Sequence, residues 1–154
     1  MNNPTGEIRM RRATLDDAKD IATLTDATYG KYVPRMRRKP QPMTADYHEI
    51  IAEHVVWLLL LGGQLAGLLI LMEQPGALLI YSVAVKPEWQ GRGLGRYLLA
   101  WAEQQARAAG HTEIRLYTNE HMVENIDLYR RAGYQETRRE HYVGSNIVHM
   151  AKAL

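Results

Sequence analysis

A glycine-rich turn at residues 90–95, Gln-Gly-Arg-Gly-Leu-Gly, constrains the fold of this sequence more than any other feature. It follows a β-branched strand pattern at residues 81–85 and opens an amphipathic helix pattern at residues 94–101. Glycine adopts backbone angles that other residues avoid and has no Cβ, so such a turn can direct consecutive N–H groups at an anion. The following helix adds unpaired N–H groups and the positive end of its dipole. With Arg92 and Arg96 beside it, the turn is interpreted as a phosphate-binding site.

The spacing of the glycines argues against two common nucleotide sites. A dinucleotide fingerprint needs glycine at its first, third and sixth positions, and counting from Gly91 places Arg96 at the sixth. A P-loop needs Gly-Lys-Ser/Thr at its end, whereas Gly95 is followed by Arg96 and Tyr97. A nucleotide-binding module is therefore disfavoured, and the pattern that remains is Gln-x-x-Gly-x-Gly after a strand.

Hydrophobic periodicity and turn residues predict the elements around this turn. Thr14 and Thr44 are the predicted N-caps of the first two helices, and residues 29–43, with three prolines and five basic residues, are predicted to form an irregular loop. Strands are predicted at residues 7–13, 55–61, 64–72, 77–85, 113–117, 134–142 and 146–152, and helices at residues 14–29, 45–54, 94–109 and 123–131.

A second block, residues 116–134, ends in Leu-Tyr-x-x-x-Gly-Tyr. Together with the glycine turn it resembles the GNAT superfamily of acyl-CoA-dependent N-acyltransferases, most closely over residues 79–134. The resemblance implies a single N-acetyltransferase domain over residues 1–154, of the α/β (α+β) class. Its fold would be a central mixed, mostly antiparallel sheet in β-α-α-β-β-β-α-β-α-β-β order, flanked by helices.

The resemblance also implies acetyl-CoA as co-substrate, with no metal. In the family, the glycine turn holds the pyrophosphate of coenzyme A, and the free backbone of residues 83–85 pairs with the pantetheine amides. Asn125 lies one helical turn before Tyr129 and would contact the pantetheine arm, whereas Asn119 also fits ordinary capping. The residues assigned to the cofactor are Val83, Ala84, Val85, Gln90, Gly91, Arg92, Gly93, Leu94, Gly95, Arg96, Asn119, Asn125 and Tyr129.

Tyr129 is the predicted catalytic residue, because the family's tyrosine at this position protonates the leaving thiolate. A phenol with a pKa near 10 can donate to a thiolate at neutral pH when it is held within hydrogen-bond reach. The alternative is a core tyrosine on an amphipathic helix. The Val85 N–H could polarise the thioester carbonyl.

The general base is not identified by the sequence. Some family members carry a glutamate on the strand before the glycine turn, but residues 77–85 contain no carboxylate. A water chain without a dedicated base is also open. The candidates are Glu73, Tyr81, His121, His141 and His149.

The acceptor is expected on the side of residues 29–43, since the family's first two helices flank the substrate groove. Tyr29, Tyr32, Arg35 and Tyr81 are candidate substrate contacts, and the basic residues of this loop favour an acceptor with an anionic part. The acceptor itself, a small molecule or a peptide amine, stays open.

The composition of the chain argues against several other classes of function. The 19 basic and 17 acidic residues give a net charge of +2, which does not indicate nucleic acid or membrane as a partner. The chain has no cysteine, which excludes disulfides and a cysteine nucleophile, and His48 and His54 are six apart, so they do not form a His-Glu-x-x-His zinc site. Residues 1–10 lack the apolar segment of a secretory signal, so a cytoplasmic location is the default. The final strand pair could exchange or pack in a homodimer.

These observations favour an acetyltransferase that moves an acetyl group from acetyl-CoA to a primary amine by direct attack in a ternary complex. The alternative, motivated by the missing strand carboxylate, is a non-catalytic module on the same fold that binds or senses acyl-CoA.

Overall fold

The computed structural model describes residues 7–154, so residues 1–6, which belong to the segment examined for a secretory signal, lie outside the described residues. The strands are β1 (Ile8–Arg12), β2 (Val55–Leu61), β3 (Gln64–Gln74), β4 (Ala77–Val85), β5 (Glu113–Asn119), β6 (Gln135–Tyr142) and β7 (Ser145–Ala153). The helices are α1 (Ala18–Tyr29), α2 (Val33–Met36), α3 (Tyr47–Glu53), α4 (Leu94–Ala108) and α5 (Val123–Arg131). No helix in this part of the chain has the length and apolar character needed to cross a membrane.

The seven strands form one sheet in the order β1-β2-β3-β4-β5-β7-β6. Only the β4–β5 pair is parallel, so the predicted mixed, mostly antiparallel sheet is confirmed. Helices α1 and α3 pack against one face, and α4 and α5 pack against the other. This cover on both faces explains why β2, β3 and β4 are nearly continuous apolar runs in the sequence.

The sheet opens between its two parallel strands. Strands β4 and β5 pair only from Leu78 opposite Ile114 to Ile80 opposite Leu116. At the next residue of β4, Tyr81, the register with β3 shifts by a β-bulge. Bulges bend a strand and re-aim its side chains, and they are frequent beside active sites. Beyond Tyr81 the two strands diverge, and both cavities described below lie at this opening.

Two local predictions at the N-terminal side are wrong. Residues 29–43 are not an irregular loop, since they include helix α2. Pro34 does not prevent this helix because it lies in the first turn, where the fixed φ and the missing N–H of proline are tolerated. Arg37 ends this helix in the left-handed region at φ 58°. The cap of α3 is Asp46 rather than Thr44, since the Asp46 carboxylate accepts hydrogen bonds from the N–H groups of His48 and Glu49.

Candidate active site

Two cavities meet where the sheet opens. The larger, about 450 Å³, is called the tyrosine cavity here because Tyr29, Tyr81, Tyr117, Tyr129 and Tyr142 line it. The smaller, about 390 Å³, is called the glycine-turn cavity because Gly91, Gly93 and Gly95 line it. Val83 of β4 and Asn125 of α5 line both cavities. A long ligand in one cavity could therefore reach a second ligand in the other at these two residues.

The glycine turn supplies unpaired backbone donors to its cavity. Gly91 and Gly93 have φ angles of 80° and 81°, a conformation that side chains with a Cβ rarely adopt. Gly93 is the N-cap of α4, and the first intrahelical hydrogen bond runs from the Tyr97 N–H to the Gly93 carbonyl at 3.1 Å. The preceding N–H groups, those of residues 94–96, belong to the unpaired first turn of the helix and line the cavity. This geometry suits a phosphate group.

The predicted cofactor residues at the turn divide into ligand-facing and supporting groups. The Gln90 side chain donates a hydrogen bond to the Val85 carbonyl at 2.9 Å and so ties the turn to the end of β4. The Arg92 guanidinium lies 5.1 Å from the centre of the Trp89 ring, and Arg92 is not part of the cavity lining. The predicted cofactor residues that line the cavity are Val83, Ala84, Val85, Gln90, Gly91, Gly93, Leu94, Gly95, Arg96 and Asn125.

The backbone of β4 leaves two N–H groups at the opening. Lys86 donates its N–H to the Ala66 carbonyl of β3 at 2.9 Å. Because successive residues of a strand direct their backbone groups to opposite edges, Ala84 also faces β3, whereas Val83 and Val85 face the opening. Their carbonyls are occupied: that of Val83 accepts from the Tyr29 hydroxyl, and that of Val85 accepts from Gln90 and Thr28. The groups left for a ligand are therefore the N–H groups of Val83 and Val85.

Asn125 and Tyr129 lie one turn apart on α5 and both line the tyrosine cavity. Neither side chain makes a hydrogen bond within residues 7–154, although Tyr129 is only 5% exposed. Burial raises the pKa of Tyr129 well above its usual value of 10, and the nearby phenols of Tyr29, Tyr32 and Tyr134 add to this effect. Tyr129 therefore keeps its proton at neutral pH and can act as a donor.

The predicted substrate contacts do not all lie together. Tyr29 and Tyr81 line the tyrosine cavity, and the Tyr29 hydroxyl shares a hydrogen bond of 3.3 Å with Ser82 Oγ. Tyr32 is buried and lines the glycine-turn cavity instead. Arg35 lines neither cavity.

Arg35 joins α2 to α5 through a paired contact with Glu124. Its two terminal nitrogens lie 2.7 and 3.2 Å from the two carboxylate oxygens, and its guanidinium also lies 5.1 Å from the centre of the Tyr32 ring. The hydrogen bonds from Arg35 lower the pKa of Glu124 to about 2. Arg35 is thus engaged in holding residues 29–36 against α5 rather than turned to a substrate.

Asn119 is placed away from the glycine-turn cavity. Its Nδ2 donates to Ser145 Oγ at 2.9 Å, and its Oδ1 accepts from the His121 N–H at 2.9 Å. Both ends of the amide are used to join the end of β5 to the start of β7 and to the turn before α5. Asn119 borders the tyrosine cavity in this supporting role.

Three residues that line the tyrosine cavity, Tyr117, Glu140 and Tyr142, were not identified from the sequence, whereas His149 was one of the candidate bases. His149 Nε2 lies 2.6 Å from Glu140 Oε1, and the Tyr117 and His149 rings are 5.8 Å apart. The Arg38 guanidinium lies 4.7 Å from the centre of the Tyr142 ring, and both residues line the same cavity. Among the described residues, no group of three or more His, Asp or Glu side chains is placed to hold a metal ion.

Comparison with known proteins identifies the family. The sequence model of the acetyltransferase (GNAT) family matches residues 19–134, which is most of the chain and includes the glycine turn, Asn125 and Tyr129. The chain belongs to the GNAT acetyltransferase family. The predicted resemblance is thereby confirmed, and the fold agrees with it.

Individual GNAT proteins are similar over different lengths. The chain is 30% identical to a mycothiol acetyltransferase of Clavibacter sepedonicus over 141 residues, 86% of this chain and 44% of that protein. It thus spans less than half the length of that relative. It is 38% identical to an aminoalkylphosphonate N-acetyltransferase of Salmonella typhimurium over 58 residues, 38% of each chain. The PaiA N-acetyltransferase of Thermoplasma acidophilum, solved in complex with coenzyme A, has the same fold with a TM-score of 0.78 and 16% identity, over 96% of this chain and 99% of that one.

The role of the turn can be tested with Gly93→Ala. Alanine in the left-handed region costs about 1–2 kcal/mol, and its methyl group would enter the cavity, where no protein atom lies within 4 Å. We expect the free energy of unfolding to fall by about 1 kcal/mol and the Kd for coenzyme A, measured by calorimetry, to rise about tenfold.

Gly63→Ala is the matched control for this variant. Gly63 has a φ of 84° in the turn between β2 and β3, also with no atom within 4 Å of an added Cβ. It should lose similar stability and keep its affinity for coenzyme A. Equal affinities of the two variants would contradict a phosphate-binding role for the turn.

Proposed function

We propose that this GNAT protein transfers an acetyl group from acetyl-CoA to a primary amine by direct attack in a ternary complex. The observation that carries the proposal is the meeting of the two cavities at Val83 and Asn125, with Tyr129 beside the junction. Acetyl-CoA supplies the activated acetyl group. Two ligands held in separate cavities with their reactive ends together are what direct transfer requires.

Each group of the site has a role in this proposal. The first-turn N–H groups of α4 and the side chain of Arg96 hold the pyrophosphate, and the Asn125 amide contacts the pantetheine arm. The Val85 N–H donates a hydrogen bond to the carbonyl oxygen as negative charge develops there. Tyr129 donates a hydrogen bond to the leaving sulfur. A thiol has a pKa near 8.5, well below the raised pKa of Tyr129, so Tyr129 stabilises the thiolate mainly as a donor.

The tyrosine cavity supports an acceptor that combines a primary amine with an anionic group. Arg38 and Lys39 both line it, and neither forms a salt bridge with another described residue. The one carboxylate in the lining, Glu140, is paired with His149. The relative named for an aminoalkylphosphonate acceptor, which joins an amine to an anion, agrees with this class.

Thiol release from acetyl-CoA with a panel of amines tests the proposal. Each anionic amine in the panel, such as an aminoalkylphosphonate or an amino acid, is matched with a neutral amine of the same chain length. We expect turnover with intersecting double-reciprocal lines, and a higher kcat/KM for the anionic member of each pair. Parallel lines would contradict direct transfer, and equal kcat/KM values within the pairs would contradict the acceptor class.

The alternative is a non-catalytic module that binds or senses acyl-CoA. It is favoured by one observation: β4 contains no carboxylate to act as a base at the opening of the sheet. Tight binding of acetyl-CoA by calorimetry, without thiol release on any amine of the panel, would support this alternative over the transferase.

A further inference from the structure

An amine that attacks a thioester must lose its proton, and the residue that takes it is still unassigned. This question rests on the proposed transfer function. An alkylammonium group has a pKa near 10, so it carries no free lone pair at neutral pH. When the new C–N bond forms and the C–S bond breaks, the nitrogen must give up two protons in all. One can pass to the thiolate, and the other needs a base within reach of the tyrosine cavity.

The structure removes four of the five candidate bases. Glu73 Oε1 lies 2.8 Å from His111 Nε2, and Glu73 lines neither cavity. His121 and His141 also lie outside both linings. Tyr81 does line the tyrosine cavity, but burial raises its pKa to about 12, so it stays protonated and cannot accept a proton at neutral pH.

His149 is the remaining candidate, and its surroundings suit a base. It extends from β7 beside Tyr117 of β5, at the level where β5 has separated from β4. Its Nε2 lies 2.6 Å from Glu140 Oε1, and a carboxylate can only accept, so Nε2 carries the hydrogen. In the neutral ring Nδ1 is then unprotonated, and it makes no hydrogen bond within residues 7–154. A carboxylate that fixes the tautomer of a histidine is the arrangement that prepares imidazole for general-base catalysis.

The groups around the imidazole keep Glu140 ionised and leave a single basic nitrogen. The hydrogen bond to His149 lowers the pKa of Glu140, and Arg138 adds to this effect. Burial raises the pKa of Tyr117, so its hydroxyl is protonated and donates to Gln41 Oε1 at 3.4 Å. Several titratable or charged groups lie beside His149 or line the same cavity. They are Tyr117 from β5, Arg138, Glu140 and Tyr142 from β6, Tyr81 from β4, Tyr29 from α1, Tyr129 from α5, and Arg38 and Lys39 from the segment after α2.

We propose that His149 is the base that deprotonates the acceptor amine, and that Glu140 positions its ring. Nδ1 takes one proton from the ammonium group, directly or through one water molecule, and the ring becomes imidazolium held against the Glu140 carboxylate. The freed lone pair attacks the thioester carbon, the C–S bond breaks, and the second proton of the nitrogen passes to the departing thiolate. The proton on His149 leaves to solvent through the open side of the cavity after the products depart.

The test compares kcat/KM for the best amine against pH in the unsubstituted protein, His149→Ala and Glu140→Gln. A base acts only in its unprotonated form, so the pH profile of kcat/KM reports on a catalytic role of His149 that a structural role would not change. We expect His149→Ala to lose about 100-fold in kcat/KM near neutral pH and to recover much of this loss at high pH, where the acceptor amine loses its proton to solvent. Imidazole added to the assay should restore part of the lost rate. Glu140→Gln removes the carboxylate that orients the ring and stabilises the imidazolium, so we expect about a tenfold lower rate and a changed pH profile.

Controls separate a catalytic role from a structural one. His141→Ala changes a histidine of β6 that lines neither cavity and should keep the kcat/KM and pH profile of the unsubstituted protein. The affinity of each variant for coenzyme A shows whether the variant is folded. If His149→Ala does not fold, the kcat/KM and pH profile of Glu140→Gln still test the proposal. Two outcomes would overturn the role of His149. One is a His149→Ala variant with unchanged kcat/KM. The other is a His149→Ala variant that added imidazole does not rescue, together with a Glu140→Gln variant whose pH profile is unchanged. No turnover by the unsubstituted protein on any amine would instead overturn the transfer function itself.

Discussion

Tyr129→Phe is expected to lower kcat by about 100-fold or more while changing the KM for acetyl-CoA by less than about threefold. Phenylalanine keeps the ring that packs in the core, and it removes only the hydroxyl that faces the tyrosine cavity. That hydroxyl makes no hydrogen bond within residues 7–154, so its loss leaves no protein group unpaired. The proposed donation to the leaving sulfur matters only as the C–S bond breaks, so the loss should fall on turnover.

Tyr134→Phe is the matched control for this prediction. The ring of Tyr134 lies 6.3 Å from that of Tyr129, but its hydroxyl donates to Glu103 at 3.3 Å and lines neither cavity. It should therefore lose some stability and keep kcat. Steady-state kinetics on both variants decides the matter, and a Tyr129→Phe variant with unchanged kcat would refute the donor role.

The pH dependence of kcat provides a second check on Tyr129. Burial raises its pKa well above 10, so the hydroxyl stays protonated throughout the range from pH 6 to 9. A decrease of kcat with rising pH inside this range would have to arise from another group. If such a decrease disappears in Tyr129→Phe, Tyr129 titrates in this range and its environment differs from the one described.

Local features of the site were predictable from the sequence because they depend on residues close together in the chain. Asn125 and Tyr129 are four residues apart on a helix, so their shared face follows from helical geometry alone. The glycine turn likewise needs only its own residues and the ends of two adjacent elements. Both blocks lie inside the part of the chain that matches the family.

Features that depend on strand register were not predictable in this way. Glu140, His149 and Tyr117 meet because β7 lies between β5 and β6, with Tyr117 opposite His149. Sequence spacing does not encode that order, and the bulge at Tyr81 changes which residues of β4 face each side. Glu140 in particular lies on a strand whose residues are all exposed, so no hydrophobic pattern marks it.

The contacts of Arg35 were not predictable for a related reason. Its place in residues 29–43, beside the family's substrate groove, made it a candidate substrate contact, but helix α2 carries it to Glu124, 89 residues further along the chain. A pair so distant in sequence has no local signal. The same segment still supplies Arg38 to the tyrosine cavity, so its general placement on that side agrees with the expectation for residues 29–43.

Lys152→Met is expected to lower the free energy of unfolding by about 2 kcal/mol and the melting temperature by about 4–8 °C. Lys152 Nζ donates at 2.9 Å both to Glu103 Oε1 and to the Ala132 carbonyl, where α5 ends. Glu103 is only 10% exposed, so removing its partner leaves a carboxylate out of water with the Tyr134 hydroxyl as its remaining contact. The Lys152 side chain is 27% exposed, which keeps the expected loss below the 3–5 kcal/mol typical of a fully buried pair.

The double variant Glu103→Leu/Lys152→Met separates the destabilisation caused by an unpaired Glu103 carboxylate from the net stabilisation that the ion pair provides. Because desolvation makes a buried pair weakly stabilising, replacing both partners with apolar groups should recover most of the loss. Arg131→Met, which breaks an exposed pair with Asp127 on the surface of α5, should cause no measurable loss. Thermal and denaturant unfolding of five proteins provides the measurement: the unsubstituted protein, the single variants Glu103→Leu, Lys152→Met and Arg131→Met, and the double variant. If the losses of the two single changes simply add in the double variant, Glu103 is not a buried charge that needs Lys152. The support for Tyr134, and through its ring for Tyr129, would then have to come from apolar packing alone.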